Sequence, residues 1–266
     1  MPYGMSSEGD GAEVLMYYFE ERGYRKRVGG GLRSFRVTVG ETDLFIRADK
    51  DLKGMVEGMV RKVRAELEGY IAMDPWFALS LSPYPVSPFA PGIVRDMAEA
   101  SALAGVGPMA AVAGAIAEHI GRGLMEVCED VIVENGGDLF IRCSVPIVVA
   151  ILAGNSPISG RIGILVDPSD EPVGICTSSG TVGHSLSFGK ADAATVVSNS
   201  AAIADAAATA VGNVVVDEGD IEAGLLLASS IKGVRGAVVV KGGRVGIWGE
   251  LKLIPVSSPR SWFDST

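Results

Sequence analysis

Apolar and polar residues alternate over Ser34–Val39 and again over Asp43–Ala48, with Gly40-Glu41-Thr42 between them. Period-two alternation broken by a short turn predicts a β-hairpin. From Leu52 the period changes: Val56, Met59, Val60, Val63, Leu67 and Tyr70 share one face of a predicted helix that ends near Asp74-Pro75. Val14, Leu15, Tyr18 and Phe19 predict a short amphipathic helix over Ala12–Glu21. Ile93–Leu103 reads as a helix, broken by Gly105-Val106-Gly107-Pro108. Pro108 suits the first turn of the next helix, Met109 to about Val127. That helix carries Ala110, Ala111, Ala113, Gly114, Ala115 and Ala117, small enough to let another backbone come close. Asp130–Glu134 and Leu139–Cys143 are predicted strands, and the Asn135-Gly136-Gly137-Asp138 between them is a strong hairpin signal. Ile147–Leu152 and Ile162–Val166 read as further strands. An alanine-rich helix runs from about Ser200 to Val211, and a second from Asp217 to about Ile231, with acids at its start where the dipole favours them. Val234–Val240, Arg244–Trp248 and Glu250–Ile254 predict a terminal β-meander.

The pattern contains no heptads, no short repeat and no separable linker. It predicts one domain over 1–266, built as two intimately packed lobes with a boundary near 75–92, and two hairpin-then-helix blocks hint at a duplication. Residues 75–92 hold five prolines with Trp76, Phe77, Tyr84 and Phe89 between them, which excludes long regular elements. Such a stretch is either a connector whose aromatics pack down or a lid over a binding site. Arg22, Arg25, Lys26, Arg27, Arg33 and Arg36 follow one another without an acid. They read as a protected strand edge or as a clamp for a phosphate-bearing ligand.

Composition narrows the class. A chain of 266 residues, 48% hydrophobic and 21% charged, can bury a substantial core. Its 35 glycines point to many turns and close backbone approaches. A net charge of −9 disfavours nucleic acid as a main partner, since phosphate-backbone binding needs cationic surface. Cys128, Cys143 and Cys176 show no Cys-x-x-Cys spacing and read as reduced, buried residues of a cytoplasmic protein. The N-terminal residues lack the pattern of a signal peptide, and the most apolar run, Val145–Ala153, is short of a membrane span. No membrane partner is expected.

The candidate chemistry lies in residues 174–213. A small polar loop, Thr177-Ser178-Ser179-Gly180-Thr181, precedes His184, and the alanine-rich helix follows. On that helix Asp205 and Thr209 are one turn apart and share a face. A carboxylate beside a hydroxyl suits a hard cation such as Mg²⁺, which keeps waters or phosphate oxygens in its other positions. A lone histidine such as His119, on the preceding small-residue helix, is more often structural.

Four of these motifs, in this order, resemble the ApbE family, the FAD:protein FMN transferases. They are Asn135-Gly136-Gly137-Asp138, Thr177-Ser178-Ser179-Gly180, His184, and Ala204-Asp205-Ala206-Ala207-Ala208-Thr209-Ala210. Gly107–Ala115, Gly-Pro-Met-Ala-Ala-Val-Ala-Gly-Ala, is closer still to a cytosolic, uncharacterised ApbE-like branch. The resemblance covers roughly residues 90–215. It implies an α+β fold of the T-fold type, with antiparallel sheets packed against helices. It also implies Mg²⁺ held by Asp205 and Thr209, and FAD as substrate or ligand with its pyrophosphate beside the metal. Asn135, Gly136, Gly137, Asp138, Thr177, Ser178, Ser179 and Gly180 would line the flavin nucleotide. His184 would be the catalytic base, and an acceptor protein would supply a threonine hydroxyl. The family's Gly-x-x-Lys-Gly segment has no counterpart lysine in Ala113–Glu118, and the Asn-x-Gly-Gly turn is contracted by one residue.

Three function classes follow. The first is an Mg²⁺-dependent enzyme that cleaves the FAD pyrophosphate by transfer or hydrolysis. The second is a protein that holds a flavin or other anionic small molecule without cleaving it. The third has no nucleotide site, and its small residues serve packing and homo-oligomer contacts.

Overall fold

The computed structural model describes residues 13–15, 32–180 and 189–256. In chain order its strands are β1 (Glu13–Leu15), β2 (Arg33–Val39), β3 (Thr42–Ala48), β4 (Val131–Asn135), β5 (Asp138–Arg142), β6 (Ile147–Ala150), β7 (Ile162–Val166), β8 (Val173–Ser178), β9 (Ala193–Ser198), β10 (Val234–Lys241), β11 (Arg244–Gly249) and β12 (Lys252–Pro255). The helices are α1 (Lys53–Met73), α2 (Trp76–Leu79), α3 (Gly92–Ala104), α4 (Val112–Met125), α5 (Ala201–Val214) and α6 (Ile221–Ser230). Single 3₁₀ turns, Pro108–Ala111 and Glu218–Asp220, lead into α4 and α6. Asp217 and Asp220 form a capping box at the second of these turns.

Eight strands form one antiparallel sheet in the order β11-β10-β9-β8-β5-β4-β3-β2. Each half of this sheet is a hairpin, a helical segment and a second hairpin: β2-β3, α1 to α4, β4-β5, then β8-β9, α5 and α6, β10-β11. The helices cover one face. On the shared strands, side chains alternate between two cores: Val131, Val133, Phe140, Cys176, Ala194 and Val196 meet the helices. Ile132, Leu139, Ile141, Ile175, Ala193 and Val197 point the other way, against Ile147, Val149 and Ile164 of a second sheet. That sheet has the order β1-β6-β7-β12. The molecule is therefore three layers deep, and strands with both faces buried read as near-continuous apolar runs.

Local chemistry explains the turns. Gly136 and Gly137 take φ of 64° and 115°, and Asn135 pairs directly with Asp138 across the two-residue hairpin. Gly105 caps α3 in the left-handed conformation at φ 72°. The 75–92 stretch holds only the four-residue α2, with Phe77 buried against Tyr70 and Tyr84 in edge-to-face contacts. The main chain at Ser80 presses on Gly107, where a Cβ would come within 1.9 Å of the Ser80 carbonyl oxygen.

Three expectations need correction. Glu13–Leu15 is a strand, paired in parallel with β6, where the apolar spacing predicts helix; the rest of the predicted helix lies outside the described residues. Main-chain pairing to β6 wins over a weak local period there. The C-terminal meander stops after two strands, because β12 leaves the large sheet and pairs with β7. The kink is at Gly249, φ 90°. Thr177 and Ser178, read as loop, are the last residues of β8, paired with Thr195 and Ala194. The strand-edge reading of the basic segment holds for Arg33 and Arg36, which lie on the edge strand β2, where Arg36 bonds Asp43 of β3. Arg22, Arg25, Lys26 and Arg27 lie outside the described residues.

Among the described residues no single helix is long and apolar enough to cross a membrane. One bent pair, Gly92–Ala104 with Pro108–Met125, passes by length and composition, and much of it is packed in the helix-side core.

Candidate functional site

The site is built on α5. Ser200 caps the helix, its hydroxyl accepting from the Ile203 N–H. Two glycines let the start of α5 sink between α4 and β8. A Cβ on Gly114 would lie 2.2 Å from the Ala201 carbonyl oxygen, and one on Gly174 would lie 2.4 Å from the Ala201 Cα. Most of α5 is buried, and Asp205, Thr209 and Asn213 are among its few partly open positions. Their i, i+4, i+8 spacing puts them on one stripe.

Asp205 accepts a hydrogen bond from the Gly114 N–H at 2.9 Å and a second from the Ala113 N–H. The Ala113 carbonyl accepts from Asn135 Nδ2 at 3.0 Å, so α4 bridges the β4-β5 turn and α5. Asn135 and Asp138 are paired across the hairpin and face the helices with Cys176. Asp138 is buried, and its carboxylate accepts from the Thr177 N–H and the Cys176 thiol. The same thiol lies 3.3 Å from the Ala201 carbonyl oxygen.

Burial pushes the Asp138 carboxyl up to about 7 despite these bonds, and the charge of Glu134 adds to the rise. Burial, and then the charge of Asp138, raises Asp205 well above the carboxylate range. The Cys176 thiol is held far above its usual value by burial and by both carboxylates. Among the described residues, the hydrogen bonds to these two acids come from neutral donors. Each carboxylate disfavours ionisation of the other.

The predicted site residues divide. Asn135, Asp138 and Asp205 come together, with Thr209 one turn further along the open stripe. Ser178 also faces α5: its Oγ is 3.3 Å from where a Cβ on Gly212 would be. Thr177 turns its hydroxyl the other way, 2.9 Å from the Thr195 hydroxyl, and meets the site only through its N–H. Gly180 donates to the Ala191 carbonyl at 3.0 Å, and the Gly189 backbone leaves no room for a Cβ on it. Ser179 sits between Ser178 and Gly180, partly exposed. Gly136 has open space where its Cβ would be, so a ligand can lie against that turn. His184 lies outside the described residues. His119 pairs with Asp96 at 2.7 Å, a structural contact between α4 and α3.

Sequence reasoning passed over Gly114 and Cys176 as site residues. The small-residue run of α4 signalled a close helix approach; which residue of α5 arrives there was not readable. Cys176 was readable only as a buried cysteine, as all three are.

The donor set suits a hard cation. Among the described residues no three His, Cys, Asp or Glu side chains cluster to hold a metal. Mg²⁺ does not require that: one or two carboxylates, a hydroxyl and substrate phosphates serve it. Asp205 and Thr209 provide the first two donor types, and a cation would relieve the repulsion between Asp205 and Asp138.

The fold is shared with solved flavin transferases. The apo flavinyl transferase ApbE of Pseudomonas stutzeri superposes with a TM-score of 0.55 at 15% identity, covering 82% of this chain and 94% of that one. The flavin transferase ApbE of Vibrio cholerae gives 0.54 at 13% identity over 86% and 99%. Sequence narrows the class. The family model described as AbpE bacteria matches residues 25–231, and the chain belongs to that ApbE-like family. Its relatives include proteins named UPF0280 protein. One from Methanocella arvoryzae is 41% identical over 84% of this chain and 91% of its own length. Another, from Methanocaldococcus jannaschii, is 43% identical over 81% and 90%.

Proposed function

We propose that the protein is an Mg²⁺-dependent flavin nucleotide enzyme that cleaves the FAD pyrophosphate. The observation that carries this is the enclosure of Asp138 and Asp205, two mutually repelling carboxylates, at the foot of an open stripe that also holds Thr209. Asp205 and Thr209 would hold Mg²⁺, which when bound neutralises charge on phosphoryl and leaving oxygens. Gly114 and Ala113 fix the Asp205 carboxylate through their N–H groups. Asn135 ties the glycine turn to α4, leaving the space over Gly136 for the flavin nucleotide. The main chain of Ser178–Gly180 lines the far end of the stripe.

In the reaction the bond between the FMN phosphorus and the oxygen bridging to AMP breaks, and that oxygen leaves with AMP. A bond forms from the FMN phosphorus to an acceptor oxygen, the acceptor's proton passes to a base, and AMP leaves. The acceptor is a threonine hydroxyl of a protein, or water. His184 is our candidate base, since an imidazole titrates near neutrality.

The test is incubation of the protein with FAD and Mg²⁺, with an EDTA control, followed by chromatography for FMN and AMP. Metal-dependent AMP release is expected, and its loss in Asp205→Asn. FAD that raises the melting temperature without any AMP would instead support the second reading, a flavin-binding protein without turnover. Neither cleavage nor stabilisation would sink both.

A further inference from the structure

The two edges of the eight-stranded sheet are built differently. β2 exposes Arg33, Ser34, Arg36 and Thr38, and Arg36 and Thr38 are bonded into Asp43 of its neighbour. Charged, cross-linked side chains of this kind blunt an edge against strand addition. β11 at the other edge reads Arg-Val-Gly-Ile-Trp-Gly, with one charge and no proline. Ile247 at its centre is 50% exposed, and among the described residues no strand pairs with the outer side of β11.

The register shows which main-chain groups of β11 turn away from β10. β10 and β11 join through the two-residue turn Gly242-Gly243, and Lys241 pairs with Arg244. Such a hairpin makes its first pair hydrogen-bonded and alternates from there. Arg244, Gly246 and Trp248 therefore bond β10, while Val245, Ile247 and Gly249 turn their N–H and C=O outward. On β10 the Val240 carbonyl faces the opposite neighbour and accepts from Asp192, in agreement with this alternation.

We propose that β11 is the seam of a two-fold homodimer, pairing antiparallel with β11 of a second copy about an axis through Ile247. The strand is self-complementary in that register. Ile247 meets Ile247 of the second copy as a hydrogen-bonded pair, and Val245 meets Gly249 at either end. Val245 packs toward the small-sheet core, so the two Ile247 side chains meet on that face. On the helix face Trp248 lies opposite Gly246, and Ile221 and Leu225 of α6 fill the space above that glycine, so the indole meets an apolar surface there. β11 begins at Arg244, which also pairs with Glu218, and Glu250 follows its last residue, so antiparallel pairing sets opposite charges at each end and parallel pairing would set like ones. The result is one continuous sixteen-stranded sheet with the blunted β2 edges at its ends.

The test is light scattering coupled to size exclusion on the full chain, with the mass expected at twice the 27.6 kDa chain. Ile247→Lys sets two ammonium groups against each other on the axis and is expected to weaken dimerisation at least 100-fold, with an unchanged circular dichroism spectrum. Ser34→Lys, on the other edge, should leave the dimer intact. Ile247→Cys should cross-link to a covalent dimer with a short bismaleimide, because the three native cysteines are buried. A wild-type monomer at micromolar concentration overturns the proposal. So does a dimer that survives Ile247→Lys, or one that Ile247→Cys fails to cross-link.

Discussion

Two acidic residues lie along the α4–α5 contact, and their surroundings are opposite. Glu118 on α4 sits at the start of α5. It accepts from the Ser200 hydroxyl at 2.7 Å and the Ala202 N–H at 3.2 Å, and Arg122 one turn later pairs with it. The positive end of α5 and a guanidinium both favour its charge. Asp205, about one turn into α5, also takes two main-chain N–H bonds, yet the charge that acts on it is that of another carboxylate, Asp138. The same residue chemistry is a structural clamp in one place and a carboxyl pushed toward its neutral form in the other. The partners differ in sign. Strongly perturbed carboxylates of this kind cluster at functional sites.

The largest way to break this contrast is through activity. Asp205→Asn is expected to lower metal-dependent FAD cleavage on the order of 10³-fold, with the melting temperature unchanged or raised. Loss of activity with unfolding would erase the distinction from Glu118. Next comes packing: Gly114→Ala drives a Cβ into the Ala201 carbonyl and the Asp205 Cβ. It should cost about 2–3 kcal/mol in chemical denaturation, because two helix backbones must separate. A neutral result would mean that the helices sit further apart. Glu118→Ala should cost about 1–3 kcal/mol through the lost cap and the stranded donors. Turnover per folded molecule should hold near the wild-type value, the reverse of Asp205→Asn.

The smallest effect is the pH dependence of the metal-free protein. Folding raises Asp138 from 3.8 to about 7, so between those values the unfolded chain has lost a proton that the folded one keeps. Stability falls with rising pH across that window, by up to about 1.4 kcal/mol per unit. Asp138→Asn should flatten the fall and melt higher than wild type at pH 8. Equal slopes for the two proteins between pH 4 and 7 would show that Asp138 carries no such strain.

Much of the architecture was legible from local pattern. The period switch at Leu52, the glycine turn at Asn135–Asp138 and the acidic helix start at Asp217 each follow from interactions within a few residues. Two features of the fold, β1 and β12, were not legible. A three-residue strand and a strand that changes sheets are decided by distant partners, and Glu-Val-Leu contains nothing that names β6. The candidate site shows the same division. The i, i+4 placement of Asp205 and Thr209 is helix geometry and was readable directly. That Thr177 turns away while its N–H reaches Asp138 depends on the register of β8 against β5 and β9. A shift of one residue there would exchange the two faces.

The amino-acid sequence by itself determined the turns, the helix faces and the family, because those rest on short-range sterics and on ordered motifs. Only the tertiary structure decided that Asp138 and Asp205, far apart in the chain, share one enclosure. Two glycines let α5 descend between α4 and β8, and that close packing brings the carboxylates within reach of each other's charge.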